Sequence, residues 1–87
     1  MRINQSSGME PYGNVSGDSS VEAYKIGDDF IQIKFYPSTG LSRTNYLFTY
    51  ESAGKENVER MKEMAKEGRG LNHFAKYSMI GKYSKKW

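Results

Sequence analysis

The chain has 87 residues, with 13 basic and 10 acidic side chains, a net charge of +3, one histidine and no cysteine. That length holds one domain with a small core, and the lack of cysteine excludes disulfides, thiolate metal sites and cysteine nucleophiles. No apolar run approaches the roughly 18 residues that span a bilayer, and the polar first residues predict no signal peptide; the expectation is a soluble cytoplasmic protein without a membrane partner.

In chain order, residues 1–18 are rich in Gly, Ser and Asn with scattered apolar residues. They bring too little apolar surface to offset the entropy of ordering, and so predict a flexible tail. Ser20–Ile26 and Phe30–Tyr36 predict a β-hairpin across Gly27-Asp28-Asp29, residues suited to a short turn. Ile31, Ile33 and Phe35 alternate with Gln32 and Lys34, so one strand face is apolar and the other wet. Pro37 removes a ladder donor and, with the following Ser38-Thr39-Gly40, breaks the strand. Arg43–Tyr50 predicts a third strand, with Tyr46, Phe48 and Tyr50 on one face, and Glu51-Ser52-Ala53-Gly54 ends the sheet.

Lys55–Glu67 predicts a helix. Val58, Met61, Met64 and Ala65 form its apolar stripe, and Glu56, Glu59, Lys62, Glu63 and Lys66 its wet side. Gly68-Arg69-Gly70 stops it at a left-handed cap. Leu71 to about Ile80 predicts a second helix, ended by Gly81. Residues 19–83 are thus the expected domain, and 84–87 a basic C-terminal tail. The expected fold is α+β: a three-stranded antiparallel sheet followed by two short helices packed on one face, β-β-β-α-α. Its expected core is Val21, Ile31, Ile33, Phe35, Phe48, Val58, Met61, Met64, Leu71, Phe74 and Tyr77. For the aromatic triplet to join Ile31, Ile33 and Phe35 in that core, both sets must share one face, and register is not readable from sequence.

The order Ser19-Ser20-Val21, Ile26-Gly27-Asp28, an alternating apolar strand, an aromatic-x-aromatic centre (Tyr46-Leu47-Phe48 or Phe48-Thr49-Tyr50), an amphipathic helix, Gly68-x-Gly70, Leu71-Asn72-x-Phe74 and a later tyrosine resembles the KTSC domain. This short module occurs at the C-terminus of some lysyl-tRNA synthetases and as a stand-alone bacterial or phage protein. The resemblance covers residues 19–83. It implies the same small α+β fold, no established activity, and RNA as a suggested ligand. Two departures stand out: Glu51-Ser52-Ala53-Gly54 replaces the proline that commonly follows the aromatic motif, and the loop Pro37–Arg43 is longer.

The chemistry-bearing residues favour binding over catalysis. Asp28-Asp29 read as a solvated turn, since adjacent carboxylates point apart. His73 sits at the flank of the second helix's apolar stripe, as a boundary residue hydrogen-bonded to backbone. Gly68-x-Gly70 is too short for a phosphate loop and follows a helix, not a strand. The expectation is a non-enzyme with no cofactor and no metal.

Charge points the same way. Residues 1–53 carry four basic and six acidic groups, and residues 54–87 nine and four. From Arg69 to the last residue there are five cations and no Asp or Glu. Such asymmetry attracts polyanions. Lysines interleaved with aromatic rings supply both phosphate contact and base stacking. The candidate nucleic-acid-binding residues are Arg69, His73, Lys76, Lys82, Tyr83, Lys85 and Lys86. Tyr46, Phe48 and Tyr50 are a second stacking platform if exposed, but with two helices to cover the sheet they read more simply as core. The leading partner is RNA or another nucleic acid. The alternative is a protein partner, for an adaptor or small regulatory protein, since Met and Tyr suit adaptable contact surfaces and sheet edges can pair with another chain.

Overall fold

The computed structural model describes residues 9–15, 17, 19–37 and 44–87. Among them, β1 (Glu10–Pro11), β2 (Val21–Ile26), β3 (Phe30–Phe35), β4 (Asn45–Thr49) and β5 (Lys85–Lys86) form one sheet in the order β1-β2-β3-β4-β5, every pairing antiparallel. Between β4 and β5 the chain forms α1 (Tyr50–Ala53), α2 (Lys55–Glu67) and α3 (Leu71–His73), the last running on as a π-helical turn, Phe74–Ser78. The protein is a small α+β fold, as expected, but with five strands rather than three, and its last strand follows the helices.

The two extra strands have a common cause. Each is two residues long, and a two-residue strand carries no readable alternation. β1 lies within the 1–18 segment read as a tail. Glu10 pairs with Tyr24 and Pro11 with Ala23, and an edge strand tolerates the proline. Tyr12 then turns into the core at 8% exposure, where its hydroxyl accepts a hydrogen bond from the Leu71 amide at 3.3 Å. Val15 donates to the Gly68 carbonyl at 2.7 Å. Residues 10–15 are therefore built into the domain. β5 lies within the 84–87 segment, also read as a tail. There Lys85 pairs with Leu47 and Lys86 with Tyr46.

The register resolves the question of the shared face. Ile31 is opposite Phe48 and Ile33 opposite Tyr46, so both alternations point to one side. Over that side α2 crosses β3 and β4. Val21, Ile31, Ile33 and Phe48 from the sheet meet Val58, Met61, Ala65 and Leu71 from the helices, each at most 2% exposed. The segment after β4, read as a strand end, is α1. Thr49 and Ser52 cap it reciprocally: the Ser52 amide donates to Thr49 Oγ1 and the Thr49 amide to Ser52 Oγ, both at 3.0 Å. This is a capping box with serine in place of the usual Glu or Gln.

α2 has the expected bounds, and Gly68 ends it in the left-handed region at φ 76°. One of its wet-side residues is misassigned. Lys62 is buried, because its ammonium is taken up by the Asp28 carbonyl at 2.9 Å and Glu59 Oε2 at 2.8 Å. The second helix also departs from α-helical phase. The Met79 amide donates to the Phe74 carbonyl five residues back. This wider turn makes Leu71, Ala75 and Met79 the buried stripe, at a constant spacing of four. Phe74 and Met64, expected in the core, are half-buried, and Tyr77 is 68% exposed.

Candidate functional site

Where the π-helical turn passes the end of the sheet, the layers do not close. A groove of about 440 Å³ lies between them, within the size range of small-ligand sites. β3 and β4 supply its floor with Phe35, Tyr46 and Phe48. The π-helical turn and its exit supply one wall through Ala75, Lys76 and Met79. Tyr83 and Lys86 supply the other. Tyr36, 51% exposed, and Ile80, 76% exposed, also line it. No Asp or Glu does.

The rings form a chain of edge-to-face contacts. Phe35 and Tyr46 lie 5.6 Å apart at 86°, and Tyr46 and Tyr83 5.3 Å apart at 77°. Both cations rest on ring faces: Lys76 Nζ is 5.9 Å from the Phe35 centroid and Lys86 Nζ 5.1 Å from that of Tyr83. Among the described residues neither pairs with a carboxylate. A cation over an exposed ring gains only about 0.5–1 kcal/mol. An incoming anion therefore competes against a weak contact rather than a salt bridge.

Two structural devices aim these groups. The π-helical turn widens the helix at the groove, a distortion often found at functional sites, and carries Ala75 and Lys76 into the lining. The alternation of β5 places Lys86, opposite Tyr46, on the groove side and Lys85, opposite Leu47, on the other face, where Lys85 Nζ lies 5.6 Å from the Trp87 ring centroid. At the β2 end of the groove, the Ser20 hydroxyl donates to Asn72 Oδ1 at 2.8 Å and ties β2 to α3.

Of the seven residues singled out in the sequence, Lys76, Tyr83 and Lys86 line the groove. Arg69, His73, Lys82 and Lys85 are exposed and lie outside it. Arg69 sits in the turn between α2 and α3. His73, expected to bond to backbone, packs its ring against Tyr77 at 4.7 Å. Sequence reasoning missed Tyr36, the first residue beyond β3. Tyr46 and Phe48, weighed as platform or core, belong to the core side: Phe48 is buried and Tyr46 half-buried, and both line the groove.

A second polar cluster joins α1, α2 and the β2–β3 turn. The Tyr50 hydroxyl donates to Glu59 Oε2, which also accepts from Lys62. The Tyr50 amide donates to the Asp29 carbonyl at 2.9 Å. Bonding to Glu59 pushes the Tyr50 phenol up to about 12. The Lys62 ammonium and then the Tyr50 hydroxyl hold the Glu59 carboxyl below its ordinary value. The cluster fastens the hairpin turn to α2. Asp28 and Asp29 take part through their carbonyls. No group of three or more His, Asp or Glu side chains that could hold a metal occurs among the described residues, and no helix among them is long and apolar enough to cross a membrane.

No family model, curated protein or solved structure matches the chain.

Proposed function

We propose that this protein is a small non-enzymatic binding module that takes RNA or another polyanion through the groove beside its C-terminal strand, and that its likeness to the KTSC domain reflects a shared fold. The observation that carries this reading is the groove's composition: two lysines set among aromatic rings, with no carboxylate partner and no acid in the lining among the described residues. Lysines neutralise phosphates, and rings accept stacked bases. Arg69, Lys82 and Lys85 then add long-range attraction rather than direct contact.

A protein-adaptor reading draws on other features. Tyr77 and Ile80 are large apolar side chains at 68% and 76% exposure, close together in sequence, Tyr77 outside the groove and Ile80 at its lining. Fluorescence anisotropy with labelled single-stranded RNA, structured RNA and duplex DNA, at low and physiological salt, separates the two. Saturable binding that weakens with salt is expected for the polyanion reading. No binding to any of the three at low salt would leave the adaptor reading.

A further inference from the structure

We propose that the groove is a pocket for one unpaired nucleobase, with the phosphates on either side of it held by Lys76 and Lys86, so that the protein selects single strands over duplexes. This rests on the polyanion reading and adds to it the part of the ligand that enters the fold. A basic surface alone needs no concavity, because phosphates lie on the outside of any nucleic acid. Here the two ammoniums, without carboxylate partners among the described residues, sit at the two ends of a row of rings, Lys76 over Phe35 and Lys86 over Tyr83 with Tyr46 between. A polyanion held at both ends of that row lies across the rings between them.

A nucleotide within a strand has that form: a flat apolar heterocycle flanked by two phosphates. Its base has π-faces that stack on tyrosine without regard to sequence. Tyr83 is the ring best placed to receive it, since it lines the groove with its edge against Tyr46 and its face under the Lys86 ammonium. When Lys86 turns to a phosphate, that ring face becomes free to stack. A base paired in a duplex has its faces covered by neighbours and cannot enter without being flipped out, which carries an unstacking cost.

The test needs no altered protein in its first arm. The intact chain is titrated with a labelled single-stranded oligonucleotide of about ten residues, with a strand of equal length and charge made wholly of abasic sites, and with the duplex of the same sequence. The base-bearing strand is expected to bind about ten-fold more tightly than the abasic one, the scale of a single stacking contact, and the duplex to bind like the abasic strand. In the second arm, Tyr83→Ala is expected to remove that difference, and Tyr83→Phe to keep it. Tyr83 is half-buried against Tyr46, so thermal melts accompany both variants, and a folded Tyr83→Ala that keeps the difference would overturn the pocket. Equal, salt-sensitive binding of base-bearing and abasic strands would overturn the base pocket and leave the polyanion reading standing. Failure of all three probes at low salt would overturn both.

Discussion

Lys62 shows how one side chain can be read wrongly from its type. Helical spacing placed it among the wet-side charges, yet it is 7% exposed. A lysine is buried only when its donors are satisfied, and here Asp28 and Glu59 satisfy them. The partner at Asp28 is a backbone carbonyl 34 residues away, for which sequence carries no signal. Lys62→Met keeps the apolar stem but removes the hydrogen bonds to that carbonyl and to Glu59, and should cost about 0.5–1.5 kcal/mol by urea denaturation. A variant as stable as wild type would show that the ammonium contributes nothing there. The same cluster sets a pH dependence. Folding favours ionised Glu59, so its contribution is present above the ordinary carboxyl range and is lost as pH falls through the lower folded value. Folding also favours neutral Tyr50. That contribution is complete below the ordinary phenol value of 10.0 and is lost as pH rises from there through about 12. Tyr50→Phe should therefore show a shallower loss of stability between those two values than wild type. Identical alkaline limbs would place the phenol outside the cluster.

At the scale of elements, what was legible followed from period and punctuation. β2, β3 and α2 were read to within a residue or so, because alternation, an i/i+3/i+4 stripe and the flanking glycines all agreed. The two-residue strands offered no period, and the π-helical turn broke the phase on which Tyr77 had been placed inside. β1 also depends on packing far along the chain. Gly68, at φ 76°, sits under the N-terminal segment: a Cβ there would come within 3.1 Å of Gly13 Cα and 3.3 Å of Val15 Cγ2. Gly81 has the same φ and open space around it. Gly81→Ala should thus cost only the left-handed backbone strain, about 1–2 kcal/mol, whereas Gly68→Ala should cost more, because backbone must also shift. Equal losses in paired denaturation curves would mean that residues 13–15 do not rest on the helix cap.

For the whole molecule, the basic aromatic character of the C-terminal quarter was legible in composition, but the site was not. Its walls come from Tyr36, Tyr46, Lys76, Tyr83 and Lys86, which meet only once the strand register is set and β5 has returned to the sheet after the helices. Register is a property of pairing, and no single strand encodes it. The fold then sorts the cations, giving Lys76 and Lys86 to the groove and leaving Lys85 on the opposite face. A diffuse basic tail would make all of them equivalent. On the proposed reading, the sorted arrangement makes two of them contact residues and the rest contributors to the field. The measurement that tests this most directly is the salt dependence of single-stranded RNA affinity for wild type, Lys76→Gln/Lys86→Gln and Lys82→Gln/Lys85→Gln. Loss of two single-strand phosphate contacts should reduce the slope of log K against log salt by about 1.4 in the groove variant, with little change in the other. Equal reductions in both variants, or none in either, would contradict the groove as the site of contact.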